Sequence, residues 1–145
     1  GMTVIRKAEE RDLNRIMEIW LEGNLQAHPF VPSEYWVGSF AAVRGAISQA
    51  EVWVWEENGR PEGFAGVVGN YLAGLFVDRA QRGKGIGSQL LQRVMQTRDS
   101  LVLRVYTQNT DAVRFYQNQD FCVRSEQLDP DTNQQELEMV FPGLE

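Results

Sequence analysis

Between Arg79 and Gly87 the chain carries three cationic side chains, Arg79, Arg82 and Lys84, and three alternating glycines, Gly83, Gly85 and Gly87. Residues of these types in this order suit an anion. Glycine has no Cβ to hold phosphate oxygens away from the main chain. Directly after the glycines, Ile86, Leu90, Leu91 and Val94 fall at helical spacing, so a helix begins where the basic charges sit. Its first turn contributes unpaired N–H groups and the positive end of the helix dipole.

Spacing separates the motifs that share this chemistry. A P-loop needs G-x-x-x-x-G-K and then Ser or Thr, but Lys84 is followed by Gly85 and no hydroxyl stands where a magnesium ligand belongs. A dinucleotide fold needs G-x-G-x-x-G early in a βαβ unit and an acidic residue at the end of the next strand. Here the run is G-x-G-x-G, it lies mid-chain, and the next strand ends in Tyr106. A turn whose glycines only cap and pack is the remaining alternative.

The elements that must position this turn are legible on both sides. Thr3–Lys7 reads as a strand, and Leu13, Ile16, Met17 and Trp20 mark a helix with Asp12 as N-cap and Gly23-Asn24 as its end. A proline-stiffened loop, His28–Pro32, precedes a helix from Ser33 to about Gln49 carrying Trp36, Phe40 and Val43. Val52–Trp55 and Gly63–Val68 flank Asn58-Gly59, a hairpin signature, and Trp53 and Trp55 share the face opposite Val52 and Val54, so both faces of that strand are covered. Tyr71–Val77 is a buried-type strand in which Gly74 marks a bulge or a close approach. A helix from Gly85 to about Arg98, a strand at Leu101–Tyr106, a helix at Thr110–Asn118, and strands at Phe121–Glu126 and Glu136–Phe141 around an Asp129-Pro130-Asp131 turn complete the chain. The order β-α-α-β-β-β-α-β-α-β-β predicts an α/β (α+β) fold: a single domain over 2–145 with a mixed twisted sheet of about seven strands and helices on both faces. Gly1 ahead of Met2 reads as a tag remnant.

Arg82-x-x-Gly85-x-Gly87 after a strand and opening a helix resembles the acyl-CoA pyrophosphate motif of the GNAT superfamily of N-acetyltransferases. Asn109-Thr110-Asp111-Ala112-Val113-Arg114-Phe115-Tyr116 is similar to the family's second signature, an Asn-x-x-Ala run followed by an aromatic pair. The element order matches along the whole chain, with Asp120-Phe121 where the family usually has Gly-Phe. Trp20, His28-Pro29-Phe30, Tyr35-Trp36 and Trp53–Glu57 resemble the bacterial YiaC-type branch, which implies acetylation of protein lysines. The resemblance further implies that acetyl-CoA is held by Leu75, Val77, Arg82, Gly83, Lys84, Gly85, Ile86, Gly87, Ser88, Asn109 and Tyr116. It also implies that the loop between the first two helices lines the acceptor side, where Glu22, His28 and Trp36 are the candidates.

In such chemistry an acceptor amine attacks the thioester directly, and the protein positions the reactants and manages two protons. The resemblance assigns Tyr116 as the group that protonates or hydrogen-bonds the departing thiolate; ordinary helix packing is its alternative. Asn109 precedes a helix, so N-capping stands beside contact with the cofactor. A lysine-like amine of pKa ~10.4 must shed a proton, at roughly 4 kcal/mol near neutral pH, and the sequence names no base for it. The aromatics Trp20, Tyr35, Trp36, Trp53 and Trp55 suit either an amine pocket or the core.

A formal charge of -6 and a pI near 4.9 argue against nucleic acid or an anionic membrane as partner and favour a cationic ligand. The resemblance implies an amine acceptor, either a protein lysine or a small molecule, with a non-catalytic acyl-CoA sensor as the alternative. A homodimer is left open. The single cysteine, Cys122, excludes an internal disulfide and a Cys-rich metal site, no metal is expected, and the run Phe121-Cys122-Val123 places it as a small buried strand residue. With no membrane-length apolar run and no signal-peptide pattern, the expected location is cytoplasmic.

Overall fold

The computed structural model describes residues 1–143. The strands are β1 (Thr3–Lys7), β2 (Glu51–Glu57), β3 (Arg60–Val68), β4 (Tyr71–Val77), β5 (Leu101–Tyr106), β6 (Cys122–Asp129) and β7 (Gln134–Phe141). The helices are α1 (Leu13–Ala27), α2 (Ser33–Gln49), α3 (Ile86–Met95) and α4 (Thr110–Asn118), with 3-10 turns at Glu10–Asp12 and Arg79–Gln81. Apart from those turns, the order is the one read from the residues. All seven strands form one sheet in the order β1-β2-β3-β4-β5-β7-β6, antiparallel throughout except between β4 and β5.

The two faces of the sheet bury separate cores. On one, Ile16, Met17, Ile19 and Trp20 of α1 and Trp36 of α2 pack with Val52, Val54 and Phe64. On the other, Ile86, Leu90, Leu91 and Val94 of α3 pack with Trp55, Ala65, Leu103, Val105 and Phe121. Strand β2 therefore sends valines to one core and tryptophans to the other, as alternation requires. Asn58 and Gly59, with φ of 53° and 83°, make the hairpin turn whose twist matches the strands. Opposite β3 the register passes from Gly66↔Gly74 to Val67↔Leu72, which leaves Ala73 as the extra residue of the bulge that Gly74 signalled.

Several boundaries differ from expectation for identifiable reasons. Helix α1 runs past Gly23 and Asn24 to Ala27. A Cβ on Gly23 would lie 2.6 Å from Phe76 Cδ1, so this glycine admits the close approach of α1 to β4 and does not end the helix. Asp12 is not a simple N-cap: its carboxylate accepts the Glu9 N–H at 2.7 Å and both ends of the Arg6 guanidinium, at 2.7 and 2.9 Å. That hydrogen-bonded pairing with Arg6 holds the buried Asp12 below the usual carboxylate range. Helix α3 ends at Met95, three residues short of Arg98, whose side chain instead reaches the Gly69 carbonyl and Glu51. Strand β6 starts one residue later and extends to Asp129, and β7 starts two residues earlier, at Gln134. Cys122 is exposed; Phe121 takes the buried place, 2% accessible.

Candidate active site

Strands β4 and β5 share one register pair, Tyr71↔Val102, and then separate. Beyond it β4 pairs only with β3 and β5 only with β7, so from Leu72 to Val77 the β5-facing backbone groups of β4 have no strand partner. An unpaired parallel edge inside a sheet is a place for a ligand's amides to bind, since each such N–H and C=O needs a partner. A cleft of about 1270 Å³ occupies this opening and continues in two directions, to the glycine turn and to the loop between α1 and α2.

The glycine arm is built on backbone geometry. Gly83 and Gly85 adopt φ of 82° and 79°, and a Cβ on either would meet nothing within 4 Å, so the requirement for glycine is conformational and the space beside it is open. The first intrahelical bond of α3 runs from the Gln89 N–H to the Gly85 carbonyl, which leaves the N–H groups of Ile86, Gly87 and Ser88 without helical partners. Arg82 lines this arm while its Nε donates to the Val77 carbonyl at 3.3 Å. Behind it, Arg15 of α1 donates to Asp78 Oδ2 at 2.9 Å, and Asp78 Oδ1 accepts the Ala80 N–H at 2.9 Å, fixing the exit of β4. Ser88 Oγ accepts from Gln119 Nε2 at 2.8 Å, which ties the first turn of α3 to the end of α4. These free amides, glycines and Arg82 fit a pyrophosphate. Among the described residues no group of three His, Cys, Asp or Glu side chains is placed to hold a metal ion.

Helix α4 supplies the wall between the two arms. Asn109 caps it, its Oδ1 accepting the Ala112 N–H at 3.3 Å. Tyr116, six residues after the first helical residue, lines the cleft and packs edge-on against Phe115 and Phe121. Burial pushes its phenol well above its ordinary value of 10, with Tyr71 adding to the effect, so the hydroxyl keeps its proton. No described residue hydrogen-bonds that hydroxyl.

The second arm is aromatic. His28, the residue after α1, stacks on Trp36 with ring centroids 5.3 Å apart and meets Phe30 and Tyr106 edge-on at 5.7 and 5.1 Å. Because the cap commits Asn109 Oδ1 to Ala112, Asn109 Nδ2 faces His28 Nε2, at 3.3 Å; the imidazole accepts there and carries its proton on Nδ1. Burial lowers the His28 pKa to about 4, against a small opposing effect of the Asn24 carbonyl, so the ring is neutral at physiological pH. Tyr106 donates its hydroxyl to Asp129 Oδ2 at 2.8 Å.

Of the residues expected at the site, Leu75, Val77, Arg82, Gly83, Gly85, Ile86, Gly87, Ser88, Asn109, Tyr116, His28 and Trp36 line this one cleft. Two do not. Lys84 is exposed and turned to Gln81 Oε1, at 2.7 Å, and Glu22 is exposed on α1 away from the cleft lining. Trp53 and Trp55 lie across the sheet, where Trp53 receives Arg93 at 4.6 Å and Lys7 at 5.0 Å over its ring. Tyr71, Tyr106, Asp129 and Glu136 line the cleft without having been singled out. Alternation along β5 would have placed Tyr106 on the open face; the carboxylates on β6 and β7 had no sequence signal.

The glycine turn and α4 fall within one matched family segment. The model of the acetyltransferase (GNAT) domain matches residues 48–123, a span that includes β4, the glycine turn and α4. The chain belongs to the GNAT family of N-acetyltransferases. It is 41% identical over 122 residues to the peptidyl-lysine N-acetyltransferase YiaC of Escherichia coli K12, covering 83% of this chain and 84% of that one. The solution structure of apo-form YjaB from Escherichia coli superposes with a TM-score of 0.86 at 26% identity, over 99% of this chain and 100% of that one. The PaiA N-acetyltransferase of Thermoplasma acidophilum, solved with coenzyme A, shares the fold with a TM-score of 0.77 at 20% identity, over 97% and 98% of the two chains. One departure from the GNAT pattern acquires an explanation. Asp120, where the family usually has glycine, adopts φ of 70°, a conformation glycine takes freely and Asp tolerates better than most residues.

Proposed function

We propose that this GNAT enzyme transfers acetyl from acetyl-CoA to the side-chain amine of lysine in proteins, by direct attack within the cleft. The supporting observation is the continuity of that cleft: a phosphate-suited glycine turn, an aromatic arm and, on the α4 wall that both arms share, Tyr116 line one and the same cavity. Arg82 and the N–H groups of Ile86, Gly87 and Ser88 hold the pyrophosphate, and the open edge of β4 receives the amide-bearing arm. The acceptor nitrogen enters between His28, Trp36 and Tyr106, where aromatic faces attract a cation and a lysine's methylene stem alike. As the C–N bond forms and the C–S bond breaks, the Tyr116 hydroxyl donates a hydrogen bond to the sulfur that strengthens with its charge. A phenol whose pKa burial has raised is a poor acid, so the donor role lies in stabilising the thiolate as it develops, with full proton transfer late.

A peptidyl-lysine acceptor is supported by the name of the YiaC relative. The test is a steady-state assay of coenzyme A release with lysine-containing peptides and with free polyamines. The reading expects turnover with peptides at a kcat/KM at least about tenfold above that with polyamines. The reverse order would assign the enzyme to small amines.

A further inference from the structure

The reaction needs a group at the acceptor nitrogen that the proposal above does not name. A lysine arrives as an ammonium, and after attack its nitrogen carries a second proton that must leave before the amide is neutral. Among the described residues, four cleft-lining side chains other than tyrosines are able to accept a proton: His28, Asp111, Asp129 and Glu136.

Three of these are committed elsewhere. His28 receives Asn109 Nδ2 on its one basic nitrogen. Asp129 spends Oδ2 on the Tyr106 hydroxyl, 2.8 Å, and Oδ1 on the Asp131 N–H, 3.0 Å. Asp111 is solvent-exposed on the first turn of α4, where water screens it. Glu136 differs from all of them. Its side chain is 12% accessible, no described residue hydrogen-bonds its carboxylate, and its nearest cation, Arg104 Nη1, stands 4.0 Å away and is itself 53% accessible. The Glu136 oxygens are not among the buried polar atoms that lack a partner, so they keep access to the cleft and have acceptor capacity to offer an incoming cation.

Its position supplies the rest of the case. Glu136 is the register partner of Tyr106 across β5 and β7, so the two side chains project from the same face of the sheet. Tyr106 is the ring that closes on His28 and Phe30, which sets Glu136 beside the aromatic arm. The Glu136 charge reaches the other walls: after burial itself, Asp129, Asp131 and Glu136 help push the Tyr35 phenol up, and at Tyr71 Glu136 adds to burial against the opposing charge of Arg104.

We infer that Glu136 is the catalytic carboxylate of the acceptor arm: it hydrogen-bonds the incoming ammonium and takes a proton from the nitrogen as the C–N bond forms. This rests on the acetyl-CoA-dependent amine acetylation proposed above. The balance is complete without another reagent. The ammonium loses one proton to solvent on the way to attack; the nitrogen's remaining excess proton goes to Glu136, which releases it to solvent before the next turnover; the C–S bond breaks; and the thiolate gains its proton through Tyr116, which solvent reprotonates.

The test compares native enzyme with Glu136→Gln, Glu136→Asp and Glu138→Gln, measuring kcat/KM for a lysine peptide and the Kd of acetyl-CoA for each. Glu138 is the control, a carboxylate two residues along the same strand that is paired at 2.9 Å with Arg124. Glu136→Gln should lower kcat/KM on the order of 10²-fold, the usual scale for losing an acid–base group. Its acetyl-CoA Kd should stay within about twofold of native, because the glycine arm is untouched. Glu136→Asp, which keeps the charge and bears on the question even if the Gln variant folds poorly, should recover at least about tenfold of that loss. Glu138→Gln should change kcat/KM by less than about threefold. A folded Glu136→Gln with kcat/KM within about threefold of native, or an Asp variant no better than Gln, would overturn the assignment. A native enzyme that binds no acetyl-CoA and acetylates no amine would instead overturn the function on which it rests.

Discussion

The two arms of the cleft are made in different ways. The glycine arm is local: Arg82 to Ser88 lie in one turn and the helix start beside it, and its chemistry comes from backbone N–H groups whose direction φ dictates. The aromatic arm is assembled from the end of α1, the start of α2, the end of β5 and the β6–β7 turn, through contacts such as His28 with Asn109, 81 residues apart. A site made of backbone is written in spacing and glycines. One made of side chains from distant elements exists only after the sheet has formed.

If the arms are separable, substitutions should split between acetyl-CoA affinity and acceptor kinetics. The largest effect is expected at their junction. Tyr116→Phe should lower kcat about 10²-fold with acetyl-CoA Kd unchanged, measured by stopped assay and titration; an unchanged kcat would reduce Tyr116 to packing. A second consequence concerns pH. His28 is held neutral, with its pKa lowered from 6.5 in the unfolded chain to about 4 in the fold. Below pH 6.5 the unfolded chain therefore binds the proton that the native state refuses, so this contribution to stability is whole above 6.5 and is lost as pH falls toward 4. Urea midpoints should decline over that window in the native protein and decline less in His28→Gln. Equal slopes would remove the buried, neutral imidazole from the account.

Smaller effects sharpen the division. Arg82→Ala should weaken acetyl-CoA about tenfold, one charge-assisted contact with phosphate, while leaving the acceptor KM within about twofold. A shift in acceptor KM alone would mean that Arg82 serves the wrong arm. Asn109→Ala removes the α4 cap and should cost about 1 kcal/mol of stability in chemical denaturation. Because Asn109 also holds His28, the same variant should raise the acceptor KM, so the cap of α4 reaches the acceptor arm as well as the helix.

What could be read from the residues follows the same line. The order of strands and helices was legible because alternation and helical periodicity are local, and the GNAT signatures were legible because both sit in continuous segments. Gly23 was misleading, since a glycine inside a helix looks like a stop until Phe76 is seen filling the space beside it. Asp12 looked like a cap because Arg6, its partner from β1, is a tertiary neighbour. Cys122 looked buried because its neighbours are apolar, yet on the edge strand β6 it faces out. Nothing in the sequence announced that β4 and β5 would part after one register pair, and without that opening Glu136 is only a charged residue on a strand.

The central claim is that the glycine turn and the open sheet edge form an acetyl-CoA site. Isothermal titration of acetyl-CoA into the native protein, and into a Gly85→Val, Gly87→Val double variant shown by circular dichroism to be folded, tests it most directly. A valine at Gly85 must adopt a φ of 79° or displace the turn, so the account predicts binding in the native protein and loss of at least about 10²-fold in affinity in the variant. Binding of equal strength in both, or none in the native protein, would contradict it.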